Sequence, residues 1–377
     1  MLKNIFKEKL NNYWRNIDKS ILFGFIILFL LGLFFSFSST SSLAGERLNK
    51  NYYFFFSKHL IFVLISFLIM FLISFVEQRV LKKSILPIFI FFLILLFLVP
   101  LIGVEVKGAK RWLSLYFFRL QPIELIKPFF ILITTSILTQ NNTVTSYTSY
   151  LLSFIILSSI IILLINQPDV GQSILLILTW VTLIFVAGIG IIYILLLLFI
   201  FISSLTALIF FLPDKFNYII IRLKTYLDPT TGDSFQSQKA LEAIKQGGLK
   251  GQGMGEGILK DSVPESHTDY VIAVISEEFG SIISIMLVLI FFYIVFKIIK
   301  KVIIETDRNT KISLTGLSTI LIFQTFIHIG VNTSLLPTTG MTLPFLSYGG
   351  SSLIGSAILA GVILNYTKNK FNGNDEI

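Results

Sequence analysis

The sequence predicts an all-α integral membrane protein of about ten transmembrane helices, with a large extracytoplasmic loop between helices 7 and 8. Three observations predict it. Of 377 residues, 54% are hydrophobic and only 14% charged, a balance that soluble domains rarely show. Apolar runs recur at lengths that cross a hydrocarbon core of about 30 Å. In lipid each backbone group must be satisfied within its own segment, so such runs are helices rather than open sheets.

The chain reads as one polytopic domain, 1–377: a cytoplasmic tail 1–20, helices 1–7 in 21–213, an outer loop 214–268, helices 8–10 in 269–366, and a cytoplasmic tail 367–377. The first apolar run, 21–37, precedes a signal-peptidase-like Ser42-Leu43-Ala44. It is longer than the roughly 7–15 residues of a signal-peptide core, so it reads as a retained anchor. Further spans follow near 54–76, 84–103, 123–139, 149–166, 172–188, 191–213, 269–296, 312–334 and 346–366. The fourth and sixth are short, as suits helices shielded by neighbours. An even number of spans puts both termini on one side. With the termini inside, half of the 30 Lys and Arg residues fall on inner segments, and seven of the rest occupy the long loop, where the positive-inside rule is weak.

A net charge of +9 could indicate nucleic acid, but the cations are scattered at membrane-flanking positions, with no basic block. The absence of cysteine excludes disulfides and thiol chemistry, and His59, His267 and His328 form no zinc-like spacing. The start of the long loop sets Phe216, Ile219, Ile220, Leu223 and Leu227 at helical spacing, among Lys215, Arg222 and Lys224. This is the pattern of an amphipathic helix on the membrane surface.

Polar chemistry collects on the outer side. Lys107, Lys110 and Arg111 beside Trp112 suit an anionic headgroup, though such residues also serve simply as interfacial anchors. Gln121 opens a segment in which Glu124 and Lys127 are i, i+3 and face each other, either as a structural ion pair or at a wet cavity. Asp169, in a turn between two apolar runs, reads as a solvated carboxylate or a helix N-cap, or as part of a site. Six glycines lie within 247–257, without a P-loop or dinucleotide pattern. Such a stretch is compatible with backbone amides approaching a headgroup.

Glu265, His267 and Asp269 lead into the eighth span. Asp269 at the boundary could be a base, while Ser266 and Asp269 also match a capping box. In a straight helix Glu277 would lie about 12 Å along and 80° around from Asp269, with Glu278 opposite. Intramembrane carboxylates point to a polar interior. Gln324, His328 and Asn332 form one stripe suited to interhelical hydrogen bonds. The following stretch, 336–352, includes Ser347, Tyr348 and Ser351 and is too rich in Pro and Gly for helix. It must be buried in protein or line a cavity.

In this order, over residues 20–366, the segments resemble the SEDS family (shape, elongation, division and sporulation) of multi-spanning peptidoglycan glycosyltransferases. The carriers are 108–112, 121–127, 167–171, 251–257, 264–270, 277–280 and 343–352. The sequence in 337–345 and 255–260 is more like the division branch than the elongation branch. Ile123 and Tyr270 stand where Ser and Phe are frequent, and neither change removes a charge.

The resemblance implies polymerisation of lipid II at the outer face into β-1,4-linked strands, with inversion and release of undecaprenyl diphosphate. It implies Asp269 as the base and Lys107, Lys110, Arg111, Trp112, Glu265 and His267 as substrate and diphosphate binders. Glu124 and Lys127 become a cavity ion pair, with Gln121, Asp169, Glu277, Ser347, Tyr348 and Ser351 lining the cavity. The resemblance fixes no cofactor and allows a divalent cation (Mg or Mn) on the diphosphate. The implied partners are a class B penicillin-binding protein (an FtsI-type transpeptidase) and other divisome membrane proteins. The implied location is the bacterial inner membrane at the division septum. A lipid II flippase, a non-catalytic scaffold and an elongation-type polymerase are the competing readings. Concentration of the unusual chemistry on one side argues against the flippase.

Overall fold

In the computed structural model the described residues are 2–39, 54–106, 108–115, 118–140, 146–211, 213–228 and 235–369. Lys107 and Ser42-Leu43-Ala44 lie outside them. The chain runs α1 (Leu2–Asn16), α2 (Lys19–Ser39), α3 (Phe54–Phe75), α4 (Gln78–Ile102), β1 (Val104–Val106), β2 (Ala109–Leu115), β3 (Phe118–Leu120), α5 (Pro122–Leu138), α6 (Tyr147–Asn166) and α7 (Val170–Val186). It continues with α8 (Ile191–Phe211), α9 (Pro213–Leu227), α10 (Phe235–Gly247), a 3-10 turn (Leu259–Asp261), α11 (Val271–Ile304), α12 (Arg308–Asn332) and α13 (Gly350–Tyr366).

Six of these helices are long and apolar enough to cross a bilayer, and Val170–Val186, Ile191–Ser204 and Gly350–Tyr366 are shorter apolar helices. This is a multi-pass membrane protein. The two short spans expected around 123–139 and 172–188 appear as α5 and α7, of 17 residues each. α5 is buried along nearly its whole length, including Glu124 and Lys127. It packs against α4, α12 and α13, while α13 also packs on α3 and α11 on α12, α10 and α2. Helices shielded in this way need not match the full thickness of lipid.

Three features depart from the expectation. First, the outer segment after α4 is a small antiparallel sheet in the order β1-β2-β3, an exception to an all-α chain. Its register pairs Glu105 with Lys110 and Ser114 with Arg119.

Second, the eighth span does not begin at 269, and it is not straight. α11 begins at Val271, runs on to Ile304, and is broken at Gly280 (φ 84°, ψ 167°). The break is spliced to the glycine-rich stretch: Gln252 N donates to Glu277 O (2.9 Å), Gly253 N to Glu278 O (3.0 Å) and Ser281 N to Gly248 O (2.9 Å). A Cβ at Gly251 would sit 2.3 Å from Glu278 O, and one at Gly280 2.2 Å from Leu249 O; both residues have positive φ. Only glycine permits that approach and that conformation. The amides expected to meet a headgroup are spent on a helix break.

Third, the long loop contains α10, which packs on α11.

The segment 333–349 is non-helical, exposed at Leu335, Leu336 and Gly340 and buried at Met341 and from Leu343 to Ser347. The Phe345 ring packs on Phe29 and Phe25 of α2, at centroid distances of 5.0 and 5.3 Å.

Candidate active site

The site is built at one end of the bundle from four pieces: β2, the α6–α7 turn, the turn before α11, and the non-helical segment 333–349. Strand β2 presents Arg111. Its Nε donates to Gln167 O at 3.1 Å, Nη2 donates to Pro168 O, and the guanidinium stands 3.9 Å from Asp169. Lys110 is exposed, with Glu105 as its register partner, and Trp112 is half-buried. The β1–β2 register is irregular between Lys110 and Trp112, which leaves Arg111 as the extra residue on β2.

Asp169 is no solvated turn residue. It is 2% exposed and N-caps α7 by accepting from Gln172 N at 3.4 Å, while Gln121 Nε2 approaches its Oδ2 at 3.5 Å. Burial pushes its carboxyl above the usual range, with Arg111 opposing that shift.

Asp269 lies in a turn rather than in a capping box. Glu265, at φ 56°, accepts through its carbonyl from the backbone N–H groups of Thr268, Asp269 and Tyr270. The cap position of α11 is Tyr270, which makes no side-chain cap bond. Glu265 Oε2 accepts from Thr268 Oγ1 at 2.8 Å, so this carboxylate braces the turn. Ser347 Oγ donates to Thr268 O (2.6 Å), and Tyr348 N to His267 O (2.8 Å). His267 stacks on Phe55, and Tyr348 on His59.

The Gln324, His328 and Asn332 stripe reaches the same structure. Asn332 Nδ2 donates to Asp269 O (3.0 Å), and its Oδ1 accepts from Ala273 N (3.1 Å). His328 Nδ1 meets Met341 O, and Gln324 Nε2 donates to Thr342 O. The stripe thus pins the non-helical segment and the Asp269 turn to α12. A methyl group at Gly340 would lie 3.6 Å from Asp269 Oδ2 and 3.7 Å from Arg111 Nη1. The carboxylate and the guanidinium therefore both approach one point beside Gly340.

Glu124 and Lys127 do face each other, at 2.8 Å, with Gln172 Nε2 on Glu124 (2.6 Å) and Lys127 Nζ on Gln324 (3.0 Å). Beside them is a cavity of about 20 Å³, the size of one water. Ser351 accepts from Gln121 N and donates to Arg119 O, holding the β3–α5 junction.

Glu277, like Gln121, Asp169, Ser347, Tyr348 and Ser351, is not among the residues lining that small cavity. Its Oε1 accepts from Leu259 N (2.7 Å) at the start of the 3-10 turn. Glu278 pairs with Lys260 at 2.6 Å and accepts from Ser38. Both carboxylates fasten the outer loop.

Sequence reasoning missed two residues. α9 is helical as expected, but Arg222 is not merely a surface cation. It lies within electrostatic reach of Arg111, Asp169, Tyr218 and Tyr270, and burial lowers its pKa, with Arg111 adding to the effect. Tyr218 shares that neighbourhood. The i, i+4 spacing of the two was the available signal.

Among the described residues no three His, Cys, Asp or Glu side chains converge as an all-protein metal cage would require; a Mg ion held by substrate phosphates needs only one or two carboxylates.

The chain matches the FtsW/RodA/SpoVE family of cell cycle proteins over residues 18–372. It is 32% identical to a probable peptidoglycan glycosyltransferase FtsW of Caulobacter vibrioides, covering 95% of this chain and 91% of that one. It is 31% identical to the stage V sporulation protein E of Bacillus subtilis, covering 91% and 94%. Among solved structures it superposes on a chain of a peptidoglycan synthase complex that coordinates polymerization and crosslinking (TM-score 0.76, 25% identity, 93% and 97% covered). The rod shape determining protein RodA of Thermus thermophilus shares the fold (TM-score 0.68, 23% identity, 93% and 96% covered). From its sequence match and its fold alike, this chain belongs to the FtsW/RodA/SpoVE family.

Proposed function

We propose that this chain is a peptidoglycan glycosyltransferase that polymerises lipid II at the outer face of the cytoplasmic membrane during septal wall synthesis. The observation that carries this reading is the approach of both Asp269 (3.6 Å) and Arg111 (3.7 Å) to one point beside Gly340. A carboxylate and a cation so placed can serve the two ends of a glycosyl transfer. Asp269 takes the proton from the acceptor sugar hydroxyl as that oxygen attacks the anomeric carbon of the donor. The bond from that carbon to the diphosphate breaks with inversion, giving the β-1,4 link and releasing undecaprenyl diphosphate. Arg111, fixed by two carbonyl oxygens, and Arg222 meet the charge that develops on the leaving diphosphate. The proton stays on Asp269 until solvent removes it.

Glu265, His267, Ser347, Tyr348 and Asn332 hold the base in place, and the Glu124–Lys127 pair fixes the floor through Gln172 and Gln324. Lys110 and Trp112 would meet headgroups outside the catalytic point. The single polytopic domain is proposed to cross the membrane ten times, with both termini cytoplasmic and α9, α10 and the 3-10 turn outside. A class B penicillin-binding protein is the proposed partner, since the related chain was solved in a complex joining polymerization to crosslinking.

The test is lipid II polymerisation by the purified chain with that partner, comparing wild type with Asp269→Asn. Glycan from the wild type alone is expected. Equal glycan from both removes Asp269 as base, and none from either removes the polymerase reading.

A further inference from the structure

Tyr218 Oη is buried and makes no hydrogen bond among the described residues. Tyr218 lies on α9 one turn before Arg222, so phenol and guanidinium share a helix face. Both are within electrostatic reach of Arg111 and Asp169. A phenol on the same helix shows what a plain structural tether looks like: Tyr226 Oη donates to Leu335 O at 2.9 Å. Tyr218 has no such carbonyl. An unpaired buried hydroxyl destabilises a fold unless a ligand completes it.

The surroundings define the ligand's chemistry. Two guanidiniums face a common region that holds one buried carboxylate, Asp169, already capping α7. Bringing Arg222 toward Arg111 is unfavourable until an anion lies between them. Burial keeps the Tyr218 phenol protonated above its usual range, so it offers a donor. A donor set between two guanidiniums suits an acceptor-only anion with several oxygens, and phosphate oxygens meet that need. In an inverting transfer the leaving group departs on the side of the anomeric carbon opposite the attacking hydroxyl. The attacking oxygen beside the base and the leaving diphosphate then lie on opposite sides of the anomeric carbon, and Asp269 and Arg111 both approach the point at Gly340.

We propose that Tyr218 is a ligand-binding residue of this site, donating its hydroxyl hydrogen to a diphosphate oxygen of the donor lipid beside Arg222. The proposal rests on the polymerase reading for the identity of that lipid, but its measurement does not require turnover. The full chain, in complex with its penicillin-binding partner, is compared as wild type, Tyr218→Phe and Tyr226→Phe. Undecaprenyl diphosphate is the probe, with undecaprenyl phosphate as the arm lacking the second phosphate. Melting temperature and affinity are both read.

Tyr218→Phe is expected to melt at or above the wild-type temperature without ligand. It should bind undecaprenyl diphosphate roughly tenfold more weakly, the effect of one hydrogen bond to a charged group. Tyr226→Phe is expected to keep wild-type affinity. Unchanged affinity in Tyr218→Phe overturns the proposal, as does a lowered melting temperature with unchanged affinity, the mark of a structural tether. Failure of wild type to bind undecaprenyl diphosphate, or binding of the monophosphate by wild type as tightly as the diphosphate, overturns it too. If Tyr218-dependent binding persists in a protein that makes no glycan, the polymerase reading falls and the ligand assignment stands. Glycan synthesis with affinity indifferent to Tyr218 is the converse.

Discussion

Lys127 sits 4% exposed inside the bundle, with its ammonium on Glu124 Oε2 and Gln324 Oε1. A buried charge stripped of its partner is far costlier than a missing pair. Glu124→Gln should therefore cost about 3–5 kcal/mol of stability, and Glu124→Gln with Lys127→Met should recover most of it, read by unfolding in detergent. If the double variant is no more stable than the single one, the pair is not the source of the loss. The i, i+3 spacing made this pair legible. Its completion was not: Gln172 comes from 48 residues away and Gln324 from 197. The same holds for Asp269, which is visible as a boundary carboxylate, whereas its grip by Asn332 spans 63 residues and follows only from the packing of α12 against α11. Long-range partners of polar side chains have no local signature.

At the scale of elements, helices were readable wherever apolar runs were long, because lipid leaves them no other backbone solution. The sheet β1-β2-β3 was not, since three- and seven-residue strands outside the bilayer give too short an alternation. The break in α11 was also hidden, because a lone glycine in an apolar run is ordinary. Its cost is measurable. Gly280→Ala must carry φ 84° and a Cβ 2.2 Å from Leu249 O, whereas Gly255→Ala meets strained φ (82°) but no neighbour. Gly280→Ala should lose more than the about 1–2 kcal/mol expected of Gly255→Ala, and equal losses would mean the splice contributes nothing. On the opposite side, Asp307 caps α12. Burial alone would raise its carboxyl, but hydrogen bonds from Thr310 and the charge of Lys82 outweigh that and hold it below 3.8. A carboxylate depressed by folding adds stability above pH 3.8 that is lost as pH falls through the depressed value. The wild type should therefore lose more thermal stability between pH 5 and 3 than Asp307→Asn, about 1 kcal/mol at most for such a cap.

For the molecule as a whole, composition was enough to read a multi-pass protein, and the order of polar segments was enough to read its family. The sidedness is open to direct measurement because the chain has no cysteine, so any introduced thiol is unique. With ten crossings and cytoplasmic termini, Lys250→Cys should react with an impermeant maleimide in intact cells, and Lys83→Cys only after permeabilisation. The reverse pattern would invert the topology. The splice between α11 and the stretch 247–253 also bears on how the protein is made. Peptide groups left open at Gly280 cannot wait in hydrocarbon for a partner. The ribosome delivers 247–253 before α11, so the complementary strip is already on the far side when the helix leaves the translocon. Synthesis order thus supplies each half of the joint in the sequence that lets it close. A chain permuted to make α11 first should stall in insertion, even though its finished contacts would be the same.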